Sequence, residues 1–350
     1  MQTSAPAFSW PTTAAPPLTQ AMLRAAPEDF EVEEINTIAL SGSGEHLWLR
    51  LRKRGVNTEF VARQLARAAG VPPRAVSYAG LKDRHALATQ WFSLHLPGRE
   101  AGGLAARLPA QIEVLESSRH ARKLQRGALA GNRFRIVLRE CAGDRAALLA
   151  RVQDLERRGV PNYFGEQRFG RDGGNIARAR AMFSGETIRD RHLRGIYLSA
   201  ARSLLFNAVL ARRVEDGSWC EARAGDAFVL NGSNSFFVPD MLDETIAQRL
   251  REGDIHPSGP LWGEGAPPTR AAVLDLEREI AERHADLATG LADARLRQER
   301  RPLRVLPREV AASWRDDATV ELGFALPAGS YATAVVRELA RYRDQGGAEG

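Results

Sequence analysis

The sequence predicts an α+β protein of about two domains, and three observations carry this prediction. A chain of 350 residues is long enough to form about two hydrophobic cores. Segments with strand alternation and segments with helical periodicity are interspersed over roughly the first 150 residues. Residues 318–339 return to the same style, a strand followed by a helix. We therefore expect one domain built from both chain ends, with the middle of the chain inserted into it.

The first part of the chain supplies the clearest local patterns. Residues 46–52 alternate, with leucines on one side, which is typical of a half-buried strand. Residues 91–96 and 134–138 alternate in the same way. Residues 57–69 have the apolar spacing of a helix, with Asn57 or Thr58 as the N-cap. These patterns predict strands and a helix around one sheet.

The composition changes near Gly159, where an aromatic and glycine-rich segment begins. Residues 199–214 predict a strong helix with Ser199 as its N-cap. Residues 228–238 predict a hairpin, because two apolar runs flank an Asn-Gly-Ser-Asn turn. We expect these elements to belong to the inserted part.

The last third combines a long charged stretch with a terminal strand and helix. Residues 271–300 predict a helical stretch that is interrupted near Gly290. Residues 318–326 alternate and predict a strand, after which Ser330 can cap the last helix. This ending predicts a return to the sheet of the first part.

Bulk properties limit the classes of function. The formal net charge is +6 and the pI is about 9.8, which fits a polyanionic partner as well as ordinary solubility. No apolar run approaches the ~20 residues that a membrane span needs, and residues 1–20 are interpreted as a disordered tail. The only cysteines, Cys141 and Cys220, fit a reducing cytosol and no zinc site. We expect a cytoplasmic protein with no metal and no cofactor.

A basic run lies between Arg119 and Arg139, where seven basic residues occur without an acidic one. A solvated basic face is the commoner fate of such a run, and phosphate contact is the alternative that we favour. We expect the phosphate contacts from Arg122, Lys123 and Arg126.

The most informative residue is Asp83, which lies between Lys82 and Arg84, shortly after Gly80 and before a predicted strand. Neighbouring positive charge favours the ionised carboxylate, which suits a nucleophile or a cation stabiliser better than a general acid. An ion-paired surface turn explains the same residues. From the residues alone, catalysis and a structural turn stand as equal alternatives.

Six segments in order resemble the tRNA pseudouridine synthase D (TruD) family, and together they extend over most of the chain. They are PEDF at 27–30, GLKDRHALATQW at 80–91, GNRF at 131–134, PNYFGEQRFG at 161–170, SAARSLLFN at 199–207 and LPAGSYATAVVREL at 326–339. The resemblance implies a pseudouridine-synthase-type catalytic domain with a mixed, mainly antiparallel sheet. It implies that this domain comprises 21–161 and 304–350, and that 162–303 form an inserted α+β domain specific to the family.

The resemblance also implies a site, with Asp83 as the catalytic aspartate. Substrate contacts are implied for Phe30, Asn132, Tyr331, Lys82 and Arg24. Without the resemblance, Phe30 is interpreted as a core residue and Asn132 as part of a turn. Two departures matter, because family members often have lysine where Arg24 stands and many have phenylalanine where Tyr331 stands.

The implied reaction converts uridine to pseudouridine in tRNA, with position 13 as the usual target. It breaks the N1–C1′ bond and joins C5 to C1′, without oxidation and without adding water. Asp83 could attack C1′ or act through a glycal-like intermediate. A non-catalytic RNA-binding protein or tRNA chaperone is the alternative, and an Asp-dependent hydrolase is a third interpretation. We expect tRNA as the partner of a monomer, with no protein partner and no membrane.

Overall fold

The computed structural model describes residues 8–100 and 102–346, and the chain divides into two compact units. The sheet unit consists of the described residues of Pro17–Gln153, Pro307–Gly329 and Leu339–Gly350. The helical unit consists of the described residues of Met1–Pro16, Asp154–Leu306 and Ser330–Glu338.

The strands and helices follow one another along the chain, and each is named in chain order. The strands are β1 (Leu18–Leu23), β2 (Phe30–Ile35), β3 (His46–Arg54), β4 (Val76–Tyr78), β5 (Leu87–His95), β6 (Ile112–His120), β7 (Gly131–Gly143), β8 (Val160–Pro161), β9 (Phe228–Leu230), β10 (Phe236–Phe237), β11 (Ile255–Leu261), β12 (Glu299–Pro302), β13 (Arg304–Val305), β14 (Arg308–Trp314), β15 (Val320–Pro327) and β16 (Ala340–Asp344). The helices are α1 (Thr58–Ala69), α2 (Arg145–Arg158), α3 (Gly174–Phe183), α4 (Arg191–Glu215), α5 (Glu244–Glu252), α6 (Ala271–Arg283), α7 (Ala285–Asp293) and α8 (Ala332–Leu339).

The sheet unit is built on one large mixed sheet. Its main path runs β14-β15-β7-β2-β5-β3-β6, while β1 and β16 extend it beside β7, and β4 pairs with β5. The pairs β2–β5 and β1–β16 are parallel, whereas the other pairs of this sheet are antiparallel. The predicted α+β class with a mixed, mainly antiparallel sheet is therefore confirmed.

The predicted strand at 46–52 is confirmed as β3, but it is buried on both faces. Leu47, Leu49 and Leu51 pack into one cluster, as the alternation predicts. On the other face Trp48 is only 1% exposed, because the loop 121–130 covers it. The indole nitrogen of Trp48 donates a hydrogen bond of 2.9 Å to the carbonyl oxygen of Arg122. This loop therefore has a firm anchor on the sheet.

The predicted helix at 57–69 is confirmed as α1, together with its caps. The side chain of Asn57 accepts a hydrogen bond of 2.7 Å from the backbone N–H of Phe60. Gly70 ends the helix in the left-handed conformation, with φ +61°. The helix packs its apolar face against the leucine face of β3.

Helices α3, α6 and α7 of the helical unit pack against α4, and here three sequence predictions were wrong. Helix α4 begins at Arg191 rather than Ser199, because Asp190 accepts hydrogen bonds from the backbone N–H groups of His192 and Leu193. The stretch 271–300 breaks between α6 and α7 at His284, not near Gly290. Its helical part ends at Asp293, because Glu299–Pro302 form β12 and pair with β11. Gly290 lies inside α7, where a Cβ would come within 2.1 Å of the ring of Phe183.

The remainder of the helical unit contains a small sheet and a two-stranded pair. The small sheet has the order β10-β9-β11-β12, and β8 pairs with β13. The predicted hairpin is confirmed, since β9 and β10 pair in antiparallel fashion. Among the described residues, no helix combines the length and the apolar character that crossing a membrane requires.

Residues 8–20 of the expected disordered tail are described by the structure and make defined contacts. Met1–Ala7 lie outside the described residues. Trp10 stacks on Tyr163 with ring centroids 6.0 Å apart, because the aromatic pair buries apolar area within the helical unit. Leu18 is fully buried in β1 of the sheet unit. The division into catalytic and inserted domains at 161 and 304 stays a prediction.

Candidate active site

The loop 79–86, which joins β4 to β5 and carries Asp83, rests on a buried lysine. The Nζ atom of Lys53 donates hydrogen bonds to the carbonyl oxygens of Asp83 (2.7 Å) and Val56 (2.8 Å). Lys53 is only 1% exposed, and burial lowers its pKa to about 8. A buried ammonium group needs hydrogen-bond acceptors to offset the loss of its hydration, and these carbonyl oxygens supply them. The loop and the lysine therefore hold each other in place.

Two further buried side chains hold the same loop. The Nε2 atom of Gln90 donates a hydrogen bond of 2.6 Å to the carbonyl oxygen of Gly80. The hydroxyl of Thr58 accepts a hydrogen bond of 2.9 Å from the backbone N–H of Lys82 and donates one of 3.0 Å to Oε1 of Gln90. Both side chains are buried. The backbone on each side of Leu81 is therefore fixed by the buried part of the sheet unit.

The carboxylate of Asp83 is oriented through both of its oxygens. Oδ1 accepts a hydrogen bond of 3.0 Å from the backbone N–H of His85, and Oδ2 accepts one from Nη1 of Arg24. Donors of this kind favour the ionised form of a carboxyl group. The side chain of Asp83 keeps 20% of its surface exposed. It is thus an oriented anion that remains accessible.

Arg24 is a shared partner of two carboxylates. Its Nε atom donates 2.9 Å to Oδ1 of Asp344, and its Nη2 atom bonds Oδ2 of the same residue. Asp344 reaches this place because β16 pairs in parallel with β1, with Asp344 opposite Leu23. Burial alone would lower the pKa of Arg24, but the hydrogen bonds to Asp344 and the charges of Asp344 and Asp83 outweigh it and raise the pKa. Arg24 also has a φ of +59°, a strained conformation for a side-chain-bearing residue.

Phe30 lies beside this charged cluster at the start of β2. The guanidinium of Arg24 lies over its ring, 5.0 Å from the centroid. Its edge packs against Phe134 at a centroid distance of 6.1 Å. Phe30 is 6% exposed. The structure thus joins Arg24, Phe30 and Asp83 in one place and gives Phe30 a packing role as well.

Lys82 is paired with a buried carboxylate of β2. Its Nζ atom lies 2.7 Å from Oε1 of Glu34, whose second oxygen accepts 2.7 Å from the backbone N–H of Trp91. Burial raises the pKa of Glu34 although both of these donors favour its charged form. The pair fixes the position of the Lys82 side chain beside Asp83.

Asn132 lies opposite Glu34 in the pairing of β2 with β7, so the two side chains share a face of the sheet. Its Oδ1 atom is buried and has no hydrogen-bond partner among the described residues. The residue before Asn132 is Gly131, and only glycine fits there, because a Cβ would lie 2.2 Å from the carbonyl oxygen of Leu326 on β15. Gly131 therefore lets β7 and β15 pack closely, and Asn132 places an unsatisfied acceptor, its Oδ1 atom, beside this contact.

Tyr331 belongs to the helical unit. Its hydroxyl accepts a hydrogen bond of 2.7 Å from Nη2 of Arg168, whose Nη1 atom donates 2.9 Å to the hydroxyl of Ser199. Its ring packs edge-on against Phe164 at a centroid distance of 6.0 Å. A Cβ on Gly165 would come within 2.9 Å of the Tyr331 ring, so glycine lets the ring lie against the backbone. The hydroxyl of Tyr331 therefore has a polar partner.

The structure divides six residues of the basic run into two groups with different partners, while the seventh, Arg119, donates hydrogen bonds to the carbonyl oxygens of Leu96 and Arg99. Arg133, Arg135 and Arg139 each pair with a carboxylate. The expected RNA contacts lie in the other group: Arg122, Lys123 and Arg126 are exposed and form no ion pair with a described carboxylate.

This exposed group lies on the loop 121–130, which is also fastened beside Asp83. The backbone N–H of Gly127 donates 2.9 Å to the carbonyl oxygen of Ala79, at the start of the loop that carries Asp83. Leu124 and Leu129 are buried against Trp48 and Trp91. The uncompensated cations and the oriented carboxylate are thus held on adjoining loops of the sheet unit.

Sequence reasoning missed several residues of this arrangement. Lys53 continues the leucine face of β3, and a lysine on an apolar strand face is a signal that could have identified it. Asp344 and Arg168 had no local signal, because their roles depend on partners far away in the chain. Within 8–100 and 102–346, no group of three or more His, Cys, Asp or Glu side chains could hold a metal ion.

Comparison with known proteins agrees with these observations. The family model for tRNA pseudouridine synthase D (TruD) matches residues 12–189 and 182–339. The chain is 49% identical to tRNA pseudouridine synthase D of Nitrosococcus oceani, covering 94% of this chain and 93% of the relative. It is 52% identical to the protein of the same name from Azotobacter vinelandii, covering 91% of each chain.

A crystal structure of a Methanosarcina mazei protein described as TruD has the same fold. The two align with a TM-score of 0.68 and 21% identity, over 94% of this chain and 95% of the other. This similarity extends the confirmed α+β class to the pseudouridine-synthase type. Through the family model and its close relatives, the chain belongs to the tRNA pseudouridine synthase D (TruD) family.

Proposed function

We propose that this chain converts the uridine at position 13 of tRNA to pseudouridine, with Asp83 as the catalytic nucleophile and without a cofactor. Family membership supports the broader assignment, a tRNA pseudouridine synthase and hence an isomerase. The observation that carries the assignment of Asp83 is its carboxylate, oriented by Arg24 and the His85 N–H while partly open to solvent.

The reaction needs an anion near the sugar and surfaces that keep the detached base. When the N1–C1′ bond breaks, its electron pair leaves with the uracil, and C1′ becomes electron-poor. An ionised Asp83 can attack C1′, forming an ester bond that breaks when C5 bonds to C1′. Alternatively it removes the 2′ proton to give a glycal-like intermediate and returns that proton to C2′ when C5 bonds to C1′. C5 then bonds to C1′, its proton goes to solvent, and N1 takes up a proton. Atoms and electrons balance without an oxidant or a metal.

Asn132 suits recognition of the base. Uracil carries an N3–H donor, and the buried Oδ1 of Asn132 is an acceptor without a partner among the described residues. Cytosine has an acceptor at N3 instead, so the same contact would discriminate against it. Phe30 supplies an aromatic wall beneath Arg24, and we propose Tyr331 as a stacking surface for the substrate RNA.

Lys82 and Arg24 act in this proposal through position and charge. Lys82 is held by Glu34, and Arg24 by Asp83 and Asp344, so neither side chain is free to move with the substrate. Arg122, Lys123 and Arg126 contact phosphates, and counterion release from these contacts offsets the cost of extruding the target nucleotide.

The experiment that tests this proposal uses tRNA transcripts that carry uracil tritiated at C5, with no cofactor added. Isomerisation releases tritium, because C5 loses its hydrogen when it bonds to C1′. A transcript with cytidine in place of uridine 13 serves as the control and should release none. Tritium release from that control would contradict position 13 as the target. Tight RNA binding without release from any tRNA would favour an RNA-binding protein or chaperone over an enzyme.

A further inference from the structure

An apolar side chain projects from the loop that carries Asp83. Leu81 is 65% exposed, more than any other large apolar side chain in the described part of the sheet unit; the next, Leu149, is 44% exposed. A single exposed leucine needs no explanation in itself. The surroundings of Leu81 make it different from an ordinary surface residue.

The backbone around Leu81 cannot fold inward to bury the side chain. Gln90 binds the carbonyl oxygen of Gly80, and Thr58 binds the backbone N–H of Lys82, so both neighbours are fastened. Lys53 adds a third attachment at Asp83. A buried polar network thus maintains an apolar tip in solvent, two residues from the oriented carboxylate.

Cations that lack ion pairs with described carboxylates lie on the same loop as Leu81 and on the loop fastened to it. Arg84 is exposed on the same loop. The basic loop with Arg122, Lys123 and Arg126 is fastened at Ala79, two residues before Leu81. An apolar tip among cations matches the chemistry of a nucleic acid, where stacked bases lie between phosphates.

We infer that Leu81 is a wedge that enters the base stack of the RNA when the target uridine is extruded. The side chain fills the space that the uracil leaves, contacts the faces of the two neighbouring bases and slows the return of the nucleotide. Its placement beside Asp83 couples this step to the reaction. The inference rests on the proposed function, since it assigns a further substrate-contacting residue to that reaction.

The test compares Leu81→Ala with Leu81→Met, which keeps the apolar volume, and with Leu149→Ala as the matched exposed-leucine control. All are made in the Asp83→Asn background, so that chemistry does not proceed. The probe is a tRNA with 2-aminopurine next to the target uridine, because its fluorescence rises when the neighbouring base leaves the stack.

Binding of the parent, of Leu81→Met and of Leu149→Ala should raise the fluorescence about threefold or more, whereas Leu81→Ala should lose most of the rise while its tRNA affinity changes little. A full rise with Leu81→Ala would overturn the wedge. This measurement needs no turnover, so it decides the wedge separately from the proposed reaction.

A rate measurement in the Asp83 enzyme gives the second readout. Leu81→Ala should slow single-turnover tritium release by about tenfold or more on ordinary tRNA. On a tRNA in which the bases flanking the target uridine are abasic, extrusion costs little, and the variant should come within about twofold of the wild type. An equal slowing on both RNAs would indicate a general defect of the loop and would contradict the wedge.

Discussion

The Nη1 atom of Arg24 donates a hydrogen bond to Oδ2 of Asp83. The other edge of the same guanidinium, Nε and Nη2, binds Asp344. Arg24 therefore links the proposed nucleophile to the last strand, and its place depends on both carboxylates.

This link predicts how substitutions at Arg24 and Asp344 combine. Arg24→Ala should lower the single-turnover rate about 100-fold, because Asp83 loses an orienting donor. Arg24→Lys should lower the rate less than Arg24→Ala, since lysine keeps the positive charge but lacks the guanidinium that binds both Asp83 and Asp344. Asp344→Asn should lower the rate about tenfold and leave tRNA affinity unchanged, because it acts only on the position of Arg24.

The double variant Arg24→Ala/Asp344→Asn distinguishes this explanation from two independent effects. If Asp344 acts through Arg24, the double variant should be no slower than Arg24→Ala alone. Multiplicative losses in single-turnover rate, or a wild-type rate for Asp344→Asn, would show that Asp344 does not position Arg24.

Tyr331 provides a prediction that separates its ring from its hydroxyl. Tyr331→Phe removes the acceptor of the Arg168 hydrogen bond and should lower the free energy of unfolding by about 1 kcal/mol, measured by denaturant titration. It should leave RNA affinity unchanged. Tyr331→Ala should weaken RNA binding by about tenfold, since stacking on an aromatic ring contributes about 1–3 kcal/mol per base. Equal RNA affinities for the alanine and phenylalanine variants would exclude a stacking role.

The exposed half of the basic run predicts a salt effect. Reversal of Arg122, Lys123 and Arg126 to glutamate should reduce the slope of log affinity against log salt by about 2, since each phosphate contact contributes about 0.7–0.9. The matched control reverses Arg63, Arg67 and Arg74, three exposed arginines in and near α1. The control should keep most of the slope despite the same change in net charge. If both triple variants lose the same slope, the effect comes from net charge and not from a binding loop.

Lys53 predicts a pH dependence of stability. Its pKa is about 8 in the folded chain against an ordinary value of 10.5, so between these pH values the unfolded chain binds a proton that the folded chain does not. The free energy of unfolding therefore rises as pH increases through this window, by about 3 kcal/mol from this group. Lys53→Met lacks this titration. In denaturant titrations, the free energy of unfolding of the wild type relative to that of Lys53→Met should rise between pH 7 and pH 10.5. The same difference in free energy at both pH values would refute the lowered pKa.

Local patterns predicted elements well and long-range partners poorly. The alternation of Leu47, Leu49 and Leu51 predicted β3, because a strand's side-chain period is a property of neighbouring residues. The burial of Trp48 could not be predicted, since it depends on a loop some seventy residues away. The start of α4 was misplaced because Ser199 is a good cap in isolation, while Asp190 performs that role nine residues before Ser199.

The same limit applies to the site. Asp83, Arg24 and Lys82 could be named from their motifs, and the structure gives them defined partners within the sheet unit. Asp344 could not be named, because its contact with Arg24 spans 320 residues and requires the parallel pairing of β1 and β16. Arg168 and Tyr331 are 163 residues apart, so the partner of the tyrosine hydroxyl had no local signal.

The central claim is that the carboxylate of Asp83 carries the reaction, and one comparison tests it most directly. Wild type, Asp83→Asn and the exposed control Asp317→Asn are incubated with tRNA tritiated at C5 of uracil, under single-turnover conditions with tRNA binding measured alongside. Asp83→Asn should bind tRNA as the wild type does and release no tritium, while Asp317→Asn should release it at the wild-type rate. Substantial tritium release by Asp83→Asn would show that this carboxylate does not carry the reaction.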